Sequence, residues 1–116
     1  MTVTMIVVST LLAIVVLASA TAKLRGVPAV AQSMRHVGVS SSQMRLLAVL
    51  EVAGGAGLLV GLASALVGRL AAAGLVLYFL GAVGAHLRVK DRFQEMAPAA
   101  VLLLVSVATL VLQVRR

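Results

Sequence analysis

Apolar positions dominate four long runs of the chain, and the charged positions fall between them. Residues 3–22 (VTMIVVSTLLAIVVLASATA) carry no charge and stop at Lys23. Residues 46–67 carry one, Glu51, and stop before Gly68-Arg69. Residues 70–87 (LAAAGLVLYFLGAVGAHL) stop at Arg88, and residues 97–114 (APAAVLLLVSVATLVLQV) stop at Arg115 and Arg116. Each run is about 18–22 residues, enough for a helix to cross roughly 30 Å of hydrocarbon. None alternates with the two-residue period of a barrel strand, and a helix satisfies its own backbone hydrogen bonds in lipid. The pattern predicts an all-α polytopic membrane protein, a four-transmembrane-helix bundle forming one domain over residues 1–116.

The first loop has a periodicity of its own. Val27, Val30, Met34 and Val37 recur at helical spacing, with Gln32, Ser33, Arg35 and His36 on the other faces. Pro28 suits a first helical turn and Gly38 a stop, which predicts a short amphipathic interfacial helix over about 28–37. Ser40-Ser41-Ser42-Gln43 then supplies a capping box for the second span.

Composition agrees with this reading: 62% of residues are hydrophobic and 11% charged, with a mean hydropathy of +1.16. A soluble domain carries about 25% charge. The formal net charge of +7 could suggest a nucleic-acid partner. The basic residues instead punctuate the span ends, as topology signals and headgroup contacts do, so no nucleic acid is expected. Loops 23–45 and 88–96 hold seven of them (Lys23, Arg25, Arg35, Arg45, Arg88, Lys90, Arg92), against Arg69, Arg115 and Arg116 on the other side. That asymmetry places the two loops in the cytoplasm and both termini outside, in a multi-pass protein of the cell membrane. Small residues near Ala18–Ala22 resemble a signal-peptide cleavage site, but no Lys or Arg precedes the run, so the first span is expected to be retained.

Glu51 is the exceptional residue, an acid inside an apolar run. It falls about 9 Å along the helix from Arg45. At 100° per residue it shares a face with Gly54, Gly55, Leu58 and Gly61, and Gly57-x-x-x-Gly61 adds a close-packing signal. Gly54, Gly57 and Gly61 are therefore expected to serve helix packing, and Glu51 to point into the bundle. In an up-and-down bundle, Lys23, Arg25, Glu51, His86, Arg88, Asp91 and Glu95 all come to one side. A buried carboxylate needs a partner, and Lys23, His86 and Arg88 are the expected ones. The cluster is read either as a polar lock on helix register or as a ligand or proton site, the default for ionisable residues in a membrane. Arg35 and His36 receive no functional role, and Tyr78 is read as a packing residue with a locally satisfied hydroxyl.

Several chemistries lack their residues. The chain has no cysteine, which excludes thiol redox chemistry, disulfides and thiolate metal sites. One histidine near a span does not make the facing pairs of a diheme subunit. No nucleophile–base set, phosphate loop or metal-ligand spacing is present. No catalytic residue and no metal ligand is therefore assigned.

The order and spacing of three motifs carry a resemblance across the whole chain. Ala22-Lys23-Leu24-Arg25-Gly26 follows the first span, Glu51 precedes a Gly-rich run, and His86-Leu87-Arg88-Val89-Lys90-Asp91 follows the third. In these the chain resembles the DoxX-like membrane proteins, with Lys23, Gly26, Glu51, His86 and Arg88 at recurring positions. The resemblance implies a four-helix membrane fold. Some members are linked as membrane subunits or partners to oxidoreductase systems, including thiosulfate–quinone and oxidative-stress systems, and distant relatives act as membrane chaperones or cargo receptors. It implies no agreed reaction.

The expected function is an accessory or scaffold subunit of a membrane redox system. It requires no cofactor, has a quinone or lipid as its ligand class, and has a membrane or redox protein or a second copy as partner. Binding is expected rather than catalysis. The alternative is a small multidrug-resistance-like, proton-coupled transporter working through Glu51. That family carries its glutamate in span one and uses aromatic residues in its pocket; here span one is uncharged and aromatics are 3%.

Overall fold

The computed structural model describes residues 2–116. They form α1 (Val3–Arg25), α2 (Pro28–His36), α3 (Ser41–Val60), α4 (Ala65–Arg88) and α5 (Phe93–Val114), with no strand among the described residues. Four of the helices, α1, α3, α4 and α5, are long and apolar enough to cross a membrane. The longest dimension is 40 Å, close to the thickness of a bilayer with its headgroups. The protein is an all-α, multi-pass membrane bundle.

Local signals set the helix ends. α1 stops because Gly26 adopts φ 65°, a left-handed conformation that costs a residue with a Cβ, and its N–H caps the Ala22 and Lys23 carbonyls. α2 begins on Pro28, which has no N–H to leave unpaired, and ends before Gly38 at φ 84°. At α3 the Ser40 hydroxyl accepts the Gln43 N–H at 3.2 Å, while the Gln43 side chain accepts the Ser40 N–H at 3.0 Å. The capping box lies where the sequence puts it.

The boundary between the second and third spans differs from the expected one. The run read as 46–67 ends at Val60, and the third span starts at Ala65 rather than at 70. The turn over 61–64 is apolar apart from Ser64, so hydropathy runs through it without a break. Ser64 supplies the start signal, its hydroxyl accepting the Val67 N–H at 3.4 Å. Arg69, expected to mark the boundary, lies inside α4. The fourth span likewise begins at Phe93, one turn before the expected 97.

α1 packs chiefly on α3, α3 on α4 and α4 on α5, and α5 closes the ring more loosely against α1. The shared core consists of Leu12, Ala13 and Val16 of α1, Leu58 of α3, and Ala72, Leu75 and Phe79 of α4. Leu11, Ile14, Leu66, Leu70, Leu77 and Leu104 face outward, where a soluble protein would set polar residues. Lipid is their solvent, and helices apolar on every side follow from it. The polar side chains that do turn inward therefore mark the bundle's internal sites.

Candidate functional site: an interior ion pair and a loop network

Glycine sets the distance between α1 and α3. A Cβ at Gly55 would come within 2.8 Å of Leu17 and 3.3 Å of the Ala13 carbonyl, so α1 lies directly on the α3 backbone there. One turn earlier on the same face of α3 is Glu51, fully buried at 0% exposure and half-way along the 20-residue helix. It is thus deeper along its helix than its distance from Arg45 suggests, because α3 already begins at Ser41.

Across from Glu51, α1 presents Ser19 and Lys23, four residues apart and so on one face. The Lys23 Nζ lies 2.6 Å from Glu51 Oε1 and 2.9 Å from Ser19 Oγ. Ser19 Oγ in turn donates to Glu51 Oε1 at 3.3 Å. Lys23 sits near the end of α1, and its side chain folds back along the helix to reach this level. Glu51 Oε2 is buried with no hydrogen-bond partner among the described residues. Tyr78 on α4 lies near the same carboxylate. Tyr78 packs against the core, edge-on to Phe79 at 5.0 Å between ring centroids, as expected of a packing residue, and is also a neighbour of the ion pair.

The structure brings Lys23 to Glu51, but it takes His86 and Arg88 elsewhere. His86 Nδ1 lies 2.7 Å from Asp91 Oδ2, His36 Nε2 lies 3.4 Å from Asp91 Oδ1, and the Arg92 N–H donates to that same oxygen at 3.0 Å. The His86 hydrogen bond, foremost, holds the Asp91 carboxyl below its ordinary value of 3.8, with the Arg92 N–H and the two histidines adding to it and burial opposing it. Arg88 donates to the Val37 carbonyl at 3.3 Å, tying the end of α4 to the end of α2. The single cluster expected from topology is two: an ion pair inside the helices, and a loop network that docks α2. They separate because His86 and Arg88 lie in the last turn of α4, whereas Glu51 lies in mid-helix.

Gly54, Gly57 and Gly61 line the α3 face toward α4. A Cβ at Gly54 would meet Leu75 at 2.6 Å, one at Gly57 would meet Ala71 at 2.9 Å, and one at Gly61 would collide with the Gly68 backbone. Glu51 and Gly55 thus serve the α1 contact, while these three glycines serve the α4 contact.

A third polar group, at the opposite end of the bundle, has no counterpart in the sequence reading. Gln113 of α5 is fully buried, its Nε2 donates to Ser9 Oγ at 3.4 Å, and its Oε1 accepts from Arg116 at 3.0 Å. Arg69 donates to the Gln113 carbonyl at 3.1 Å, and Arg116 also donates to the Gly61 and Leu62 carbonyls of the α3–α4 turn. Two facts in the sequence point to it: Gln113 is the one amide in its apolar run, and antiparallel topology sets the start of span one beside the end of span four. Among the described residues no three His, Asp or Glu side chains converge as a metal-ligand set.

Comparison with known proteins is consistent with this architecture. The family model described as the DoxX-like family matches residues 7–109, from the second turn of α1 to deep in α5. Neither the curated proteins nor the solved structures gave a match. A match over nearly the whole four-span bundle settles the kinship, and the chain belongs to the DoxX-like family.

Proposed function

We propose that the protein is a non-catalytic membrane subunit, a scaffold or accessory of a membrane redox system, and that the Lys23–Ser19–Glu51 group is its working interior site. The observation that carries this is Glu51 itself. One oxygen is held by Lys23 and Ser19, and the other is buried without a hydrogen-bond partner among the described residues. A buried acceptor left open in this way suits a lipophilic ligand that brings a hydroxyl, such as a quinol or a lipid. The redox association rests on the family likeness.

The test is purification from native membranes in mild detergent, with mass spectrometry of co-purifying proteins and of bound quinones and lipids. The expected result is a stoichiometric redox enzyme or quinone, lost in Glu51→Gln while the bundle stays folded. A wild-type protein that comes away alone and unliganded overturns the reading.

The open Glu51 oxygen also supports a second reading, proton-coupled export of lipophilic cations. It requires that such cations release protons from the wild type and not from Glu51→Gln; absence of release from the wild type removes it. For sidedness, the basic residues support cytoplasmic loops 23–45 and 88–96 with both termini outside. The absence of native cysteine allows a direct check. Ser42→Cys should resist, and Ser64→Cys accept, an impermeant thiol reagent added from outside; the reverse pattern inverts the topology.

A further inference from the structure

Two concavities flank the start of α5, and neither belongs to the ion pair. One is a polar cleft of about 390 Å³ between α2 and α5, with Gln32, Ser33 and His36 on one wall and Asp91, Arg92 and Glu95 on the other. The second is an apolar groove of about 610 Å³ between Val15 of α1 and Phe93, Ala97, Pro98, Val101 and Leu102 of α5. It lies along the seam where α1 and α5 pack loosely. Arg92 and Glu95 wall the cleft while Phe93 and Ala97 wall the groove, so the two are adjacent along α5. The cleft is at the level of the interfacial helix α2. The groove continues down to Val15, which lies about 15 Å inside the end of α1 at 1.5 Å per residue.

Polar at the membrane face and apolar beneath it is the profile of one amphiphile. The charges in the cleft specify its head. Asp91 is already engaged by His86, His36 and the Arg92 N–H. Among the described residues the Arg92 and Glu95 side chains are engaged only with each other, at 3.2 Å, and are 77% and 45% exposed. Such an exposed pair is held weakly and can exchange partners. It offers one cation and one anion side by side, the complement of a zwitterion. A phosphate suits the Arg92 guanidinium, with the Ser33 hydroxyl and Gln32 amide as further donors. A primary ammonium suits Glu95, to which it can donate hydrogen bonds; a trimethylammonium has none to donate.

The geometry points to a phosphoethanolamine lipid, seated with its headgroup in the α2–α5 cleft and an acyl chain along the α1–α5 groove. The reading is independent of any role for Glu51.

The experiment is native mass spectrometry of the full chain released from bilayer nanodiscs made of equal parts phosphatidylethanolamine, phosphatidylcholine and phosphatidylglycerol. One phosphatidylethanolamine should be retained per chain, about tenfold over phosphatidylcholine, the discrimination expected of one charge-assisted hydrogen-bonded contact. Glu95→Gln should reduce that preference about five- to tenfold, with the melting temperature unchanged. Val101→Trp, placing an indole across the groove, should remove retained lipid of any headgroup. Equal retention of the three lipids, as in an annular shell, overturns the proposal. So does a preference for phosphatidylglycerol, which would reflect the basic charge alone. Displacement of the lipid by soluble phosphoethanolamine at similar concentration overturns the role of the groove.

Discussion

The two ends of the bundle hold their helices by different chemistry. At the Lys23 end an ion pair joins α1 to α3, and a carboxylate shared by two histidines fastens the loops. At the Gln113 end a neutral amide joins α5 to α1, and two arginines cap carbonyls of neighbouring segments. The ion pair is deep, charged and left with an unpaired acceptor; the Gln113 end is satisfied by hydrogen bonds alone. A buried charge that loses its partner is far more costly than an amide that loses one of several bonds. The charged end is thus where substitutions should bite hardest, and where a ligand has something to gain.

The largest effect is expected at Glu51. Glu51→Ala leaves the Lys23 ammonium without its carboxylate and should lower stability in detergent by about 3–5 kcal/mol. Glu51→Gln keeps volume and hydrogen bonding to Ser19 and Lys23 and should cost less. Replacing both partners by apolar residues, Lys23→Met with Glu51→Leu, should recover most of the loss. Thermal unfolding of the series checks this, and equal stability of wild type, Glu51→Ala and Glu51→Gln would refute a structural lock.

Next comes the α3–α4 contact that both ends depend on. Gly61→Ala puts a methyl group against the Gly68 backbone and should cost about 1–3 kcal/mol by overpacking. Ala at Gly74, where a Cβ meets nothing within 4 Å, is the control and should leave the melting temperature at or above that of wild type. At the neutral end, Gln113→Leu should cost only about 1 kcal/mol, the scale of an interhelical hydrogen bond in a membrane. A loss as large as that of Glu51→Ala would erase the contrast between the two ends.

The smallest effect is expected at Asp91, in the loop between α4 and α5. Its carboxyl is held below its ordinary value in the folded protein, so its stabilisation is present above pH 3.8 and is lost as pH falls through the folded-state value. Asp91→Asn should therefore lower the melting temperature slightly at neutral pH and match wild type in stronger acid. A gap between the two that persists unchanged into acid would show that the histidine contacts to Asp91 do not stabilise the fold.

The residues show how much of this was open to sequence reading. Glu51 stood out because one charge in an apolar run has few ways to be tolerated, and Lys23 followed from antiparallel topology. His86 and Arg88 were brought to the correct side by the same reasoning and then to the wrong partner, because topology fixes which end a residue occupies and not which turn or rotamer it uses. Ser19 reads in the sequence only as one of the small residues at 18–22, although its place four residues before Lys23 sets it on the lysine's face. Ser9 and Gln113 lie 104 positions apart and have no charge to link them. The turn at 61–64 was missed because hydropathy cannot distinguish an apolar turn from an apolar helix.

The sequence by itself determined the solvent, the number of crossings, the short amphipathic helix of the first loop and its caps, and the presence of a buried acid needing a base. These follow from composition and short-range periodicity, which act within a few turns of chain. Only the tertiary structure decided that Lys23, of the three expected partners, is the one that reaches Glu51, that Ser19 joins it there, and that Gly55 faces α1 while Gly54, Gly57 and Gly61 face α4. Those choices depend on how far each helix is rotated and slid against its neighbours. In lipid that is settled by the close fit of small residues and by the few polar groups that must find one another.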